Sequence, residues 1–168
     1  MGAIDMGIFN KKAHNKDNPY LGLRQLALDT KPEDIGVTVD NNEQIYAAVV
    51  DLPLTNGITT FVCFFDGTVS LYYQNGGGML GIGEKYEEVK KAGISFLFSA
   101  GQTIQFIKPS QNFNLPTNNI ISVYLKAKEN TYKAEINMSN IQSQEKHIQF
   151  LNFLIQNVLD KIRKNSGV

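Results

Sequence analysis

Residues 45–74 read IYAAVVDLPLTNGITTFVCFFDGTVSLYYQ, and the parse of this stretch decides the fold. Three runs rich in β-branched and aromatic residues, 45–54, 58–65 and 68–74, are separated by Asn56-Gly57 and Asp66-Gly67. Both dipeptides tolerate the positive φ angles of tight hairpin turns, so the expected unit is a three-strand antiparallel meander. The middle run is apolar on both faces, through Phe61, Val62, Cys63, Phe64 and Phe65, as a central strand requires. Pro53 has no N–H to give a ladder, and it falls near the end of the first run, where that loss is tolerable.

Downstream, the glycine-rich stretch 75–84, NGGGMLGIGE, leads into a helical pattern. Tyr86, Val89, Gly93, Leu97, Gly101 and Ile104 recur three or four residues apart, which marks one face of a long helix ending before Pro109. Gly93 and Gly101 on that face would let helix backbone approach the sheet closely. A second parse breaks this helix at Gly93 and makes residues 94–98 a strand. After a proline-containing loop over 109–119, IISVYLKAK and TYKAEIN alternate apolar and polar residues and read as a hairpin. A last helix carries a wide stripe of Ile148, Leu151, Leu154, Ile155, Val158, Leu159 and Ile162.

Upstream, Tyr20, Leu23, Leu26 and Ala27 fit a short amphipathic helix entered through Asn18-Pro19. Thr30, Pro32, Glu33 and Asp34 then open a further turn that Gly36 stops. The sum is a mobile tail over 1–18 and a single α+β domain over 19–168. Its five-stranded, mainly antiparallel sheet, a meander, a helix and a hairpin, is flanked by helices.

Composition narrows the function. No apolar run approaches the ~20 residues that span a bilayer, so no membrane association is expected. Sixteen basic residues balance sixteen acidic ones, which leaves no field to gather phosphate backbones, so nucleic acid is not an expected partner. Cys63 is the only cysteine and no secretory signal is evident, which points to a reducing cytoplasm. His14 and His147 are far apart, and the sequence shows no clustered carboxylates. No catalytic residue, metal site or cofactor is therefore expected.

The one site-like stretch is the glycine loop. Gly76, Gly78 and Gly81 satisfy G-x-G-x-x-G after a strand and before a helix. The strand belongs to an antiparallel meander, however, and no acid occurs between Glu88 and Glu129 to hold a ribose. Gly78 and Gly83 have the spacing of a phosphate loop, but Glu84 stands where its lysine would be. The loop then reads as a tight strand-to-helix connection whose bare amides could also receive a ligand or partner. The candidate binding residues are Gly76, Gly77, Gly78, Gly81 and Gly83, with Asp51, Asp66, Tyr72 and Glu84 nearby. Asp51 interrupts an apolar strand; exposure on an edge at Asp51-Leu52-Pro53 is expected, the alternative being a partnered carboxylate near the loop. Tyr72 and Tyr73 point to opposite faces.

The phrases VVDLPLTNG and FFDGTVSLYYQNGGGMLGIGE resemble a group of small uncharacterised bacterial proteins that share a D-x-P-L, D-G-T-x-S-L-Y, G-G-G pattern. The resemblance covers roughly Ile45 to Lys108 and implies no activity. The element order is similar to that of profilin-like modules, roadblock and longin domains among them. That resemblance implies a non-enzymatic module that binds protein partners or self-associates. The alternative is a small-molecule or anion binder, or an enzyme, using residues 75–84.

Overall fold

The computed structural model describes residues 19–167; the tail expected over 1–18, with His14, lies outside the described residues. Among them the chain forms four α-helices and one sheet of seven antiparallel strands. Helix α1 spans Pro19–Asp29 and buries Tyr20, Arg24, Ala27 and Leu28, a face repeating every three to four residues. It ends where the Thr30 hydroxyl turns back to donate to the Leu26 carbonyl at 2.8 Å. A 3₁₀ turn over Pro32–Ile35 follows, and Gly36, at φ 66°, stops it as expected.

The meander is present: β1 (Ala47–Leu54), β2 (Gly57–Phe64) and β3 (Val69–Tyr73) pair antiparallel across the two expected turns. The later hairpin is β6 (Ile120–Lys126) with β7 (Thr131–Asn137). The expected count of five strands is corrected to seven by β4 (Gly78–Met79) and β5 (Lys108–Pro109). Two-residue segments carry no hydrophobic period. They are strands only because they pair with Leu71–Tyr72 and Tyr132–Lys133, which local sequence does not encode.

The sheet order is β4-β3-β2-β1-β6-β7-β5. β2 is interior as expected, but β1 is the middle strand. Its Ala47–Val50 segment is buried on both faces, because helices cover both sides.

One face carries α2 (Ile82–Lys85), α3 (Glu87–Ala100) and α4 (Lys146–Ser166). Residues 94–98 are helical, so the strand parse fails: Phe96, Leu97 and Ala100 complete the buried face begun by Val89, Ala92 and Gly93. The helix expected to run to Ile104 tightens after Ala100 into a 3₁₀ segment, Gly101–Phe106. The α4 stripe buries Leu151, Leu154, Ile155, Val158 and Ile162 as expected, and Gly167, at φ 73°, caps the helix. Phe61 from β2 meets Phe96 edge to face, centroids 5.9 Å apart, at the centre of this layer.

Gly93 does admit close approach: a Cβ there would lie 2.6 Å from Val69 Cγ2 and 3.5 Å from Cys63 Sγ. Gly101 faces the loop before β1 instead, where a Cβ would lie 3.2 Å from the Glu43 carbonyl. The opposite sheet face is covered by α1 and the 3₁₀ turn, over Tyr46, Ala47, Val49, Val62, Phe64, Tyr72 and Tyr124.

Candidate functional site

Side chains alternate along a strand, so every second residue of β1, β2, β3 and β6 faces α1. Register aligns Gly78, Tyr72, Thr60, Asp51, Ser122 and Glu135 as one row across six strands. Three residues singled out from the sequence, Gly78, Tyr72 and Asp51, therefore share a line. The expected edge exposure of Asp51 is corrected: it lies in the middle strand and is 0% exposed. A buried carboxylate needs partners, and this one has them.

Arg24, projecting from α1, lays its guanidinium on Asp51, with Nε 3.1 Å from each carboxylate oxygen and Nη2 2.7 Å from Oδ2. Thr60 donates its hydroxyl to Asp51 Oδ1 at 2.7 Å. That uses the only proton of Thr60, so Tyr20, whose oxygen is 2.6 Å away, is the donor to Thr60. Arg24 Nη2 also donates to the Phe113 carbonyl at 2.8 Å, and its Cζ lies 5.6 Å from the centroid of the Tyr124 ring. Burial works against the Arg24 charge, but the Asp51 carboxylate outweighs it and holds the guanidinium pKa above its ordinary value. Burial pushes the Tyr20 phenol up to about 12.

A second buried cation sits two residues along β6 from Tyr124. Lys126, from a strand position facing α1, donates to the carbonyls of Leu28 and of Thr30, the latter at 2.6 Å. Tyr46 donates to the same Thr30 carbonyl at 3.0 Å. A cation suits the carbonyl end of a helix, and here it fastens the end of α1 to the sheet.

Burial lowers the Lys126 pKa from 10.5 to about 8, with Asp29 and Asp34 pulling the other way. Between those values the unfolded chain binds the proton and the folded chain does not, so the lysine's contribution to stability rises with pH across this window. It is lost as pH falls through about 8. Cys63 and the buried tyrosines, all raised by burial, act oppositely: the unfolded chain gives up those protons first, so stability falls as pH rises above about 9. Wild type is therefore expected to gain stability relative to Lys126→Met between pH 8 and 10.5, by urea unfolding at stepped pH. A difference that shrinks as pH rises contradicts this assignment.

The glycine loop lies beside this row. Gly76, Gly77 and Gly78 are exposed and line a cleft of about 480 Å³ whose other wall is Pro19, Tyr20 and Leu23 of α1. Gly76 and Gly77 take φ of 110° and 80° with open space where a side chain would be. Gly78 is different: a Cβ there would lie 2.3 Å from the Leu71 carbonyl, so its bareness serves the β4 pairing.

The remaining candidates gather elsewhere. A Cβ on Gly83 would meet the Gly67 carbonyl at 2.4 Å, which seats α2 against the β2–β3 turn. Asp66 caps that turn, accepting the Thr68 amide at 2.9 Å, and burial raises its pKa. Gly81, at φ 66°, accounts for the sharp entry into α2, and Glu84 is exposed there. Tyr72 is buried, and burial raises its phenol pKa. The candidates thus divide between the row under α1 and the α2 corner.

Sequence reasoning missed Arg24, Thr60, Tyr124 and Lys126. A signal existed: Arg24 lies four residues from both Tyr20 and Leu28, on the buried face of α1, and Tyr124 and Lys126 share a strand parity with Ser122.

The outer surface of the helical layer carries exposed aromatics. Phe106 stacks on His147, centroids 5.3 Å apart, and Phe150 and Phe153 follow His147 at three-residue steps along α4. Such steps place neighbours on a helix surface. Among the described residues no three His, Cys, Asp or Glu side chains are grouped to hold a metal, and no helix is long and apolar enough to cross a membrane. No protein-family model, curated protein or solved structure matches the chain.

Proposed function

We propose that the protein is a non-enzymatic interaction module of the cytoplasm that associates with a second copy of itself or with another protein. In this reading it works as roadblock-like modules do, by binding rather than catalysis. The observation that carries the proposal is the ridge of Phe106, Phe150 and Phe153, exposed by 61%, 36% and 65%. Aromatic side chains are the commonest energetic anchors of protein interfaces, and grouped exposed apolar residues mark docking surfaces.

The sheet edges favour this face over strand addition. Each edge ends in a two-residue strand, and β5 contains Pro109, so neither offers a long free ladder. Phe153→Glu is the test. Sedimentation velocity over a concentration series should show wild type associating and the variant monomeric. The melting temperature should stay within about 2 °C, since surface changes rarely alter stability much. Wild type that stays monomeric throughout, and captures no partner through this face, would remove the proposal.

A further inference from the structure

We infer that the sheet face under α1 is a guanidinium-binding site, filled in this structure by the chain's own Arg24. The groups that touch the guanidinium, and the threonine that holds its carboxylate, all come from outside α1. Asp51 is on β1, Thr60 on β2, Tyr124 on β6, and the Phe113 carbonyl is in the loop before β6. The direct contacts of the guanidinium are therefore supplied without the helix that carries it, and α1 adds only the Tyr20 hydroxyl behind Thr60.

Its chemistry is that of arginine recognition. A carboxylate engages the Nε and Nη2 edge, a backbone carbonyl takes a further Nη2 proton, and an aromatic ring lies near Cζ. A threonine hydroxyl also donates to the carboxylate, at Oδ1. Stability does not require such a pair, because well-packed apolar residues in place of a buried ion pair are commonly as stable or more so. What it supplies is direction: the fork sets the rotation and register of α1 on the strands.

The site also connects to the cleft. Tyr20, which lines the cleft, donates to Thr60, and Thr60 donates to Asp51, so seating of the guanidinium and the position of that wall are linked through two hydrogen bonds. In this reading α1 is a tethered ligand, and the group it mimics is the guanidinium of an arginine side chain. The inference is independent of the aromatic ridge, which lies on the opposite helical layer.

The test is chemical rescue. Arg24→Ala empties the site, and its melting temperature is expected to fall by roughly 10 °C. Millimolar ethylguanidinium should restore at least half of that loss, saturably. Ethylammonium at the same concentration should not, and Arg24→Ala/Asp51→Asn should respond to neither. If Arg24→Ala is unfolded alone, the same titration is followed by far-ultraviolet circular dichroism, with recovery of helix as the expected result. No recovery there, equal rescue by ethylammonium, or rescue that survives loss of the Asp51 charge would each overturn the inference.

Discussion

Arg24→Met should lower the free energy of unfolding by about 3–5 kcal/mol, the usual consequence of leaving one member of a buried ion pair unpaired. Asp51 would keep Thr60 as its only side-chain partner in a site that is 0% exposed. Asp51→Leu should be comparably damaging, because it strands the guanidinium against the Phe113 carbonyl. The double variant Arg24→Met/Asp51→Leu should recover most of the loss, since it replaces two desolvated charges by apolar groups of similar size. Urea unfolding of the four proteins closes the cycle. Additive single effects, with no recovery in the double variant, would mean that the two side chains do not act as a pair.

Gly83→Ala should cost about 1–3 kcal/mol, although its backbone conformation is ordinary. The added Cβ would lie 2.4 Å from the Gly67 carbonyl and 3.1 Å from the Val69 amide nitrogen. Both are backbone atoms, so no rotamer change relieves the clash and α2 must lift from the sheet. Gly77→Ala is the contrast. Its Cβ would meet nothing within 4 Å, and only the φ of 80° opposes it, a strain of about 1–2 kcal/mol. Hydrogen exchange separates the two cases: Gly83→Ala should accelerate exchange in α2 and the β2–β3 turn, and Gly77→Ala only in the loop. Identical exchange patterns would contradict the distinction between glycines kept for close approach and glycines kept for a turn.

Elements with a strong period were legible in the sequence. The α4 stripe, the β6–β7 hairpin and the meander follow from apolar spacing and turn dipeptides, because each is decided by which residues face one core. The edge strands were not legible. Gly78–Met79 and Lys108–Pro109 are strands by virtue of their partners, and a two-residue segment has no period to read.

The site was half legible. Asp51 stands out because it interrupts an apolar strand, yet its neighbours Leu52 and Pro53 point to an edge, since nothing local shows that the strand on its far side is β6. Its partner lies 27 residues earlier, on a helix whose apolar spacing runs through Tyr20, Leu23, Leu26 and Ala27. The spacing of Arg24 from Tyr20 and Leu28 marks it for burial, but pairing it with Asp51 requires the placement of α1 on the sheet, which is a tertiary fact. The glycine loop was legible as a feature but mixed in role: Gly76 and Gly77 turn the chain, whereas Gly78 and Gly83 permit contact.

Hydrogen exchange of the wild-type protein at low and high concentration tests the central claim, an interaction face on the helical layer, most directly. Protection should increase with concentration over residues 146–157 and around Phe106, leaving the β4 and β5 edges unchanged. Protection centred on either sheet edge would contradict it, and protection independent of concentration would contradict self-association through this face.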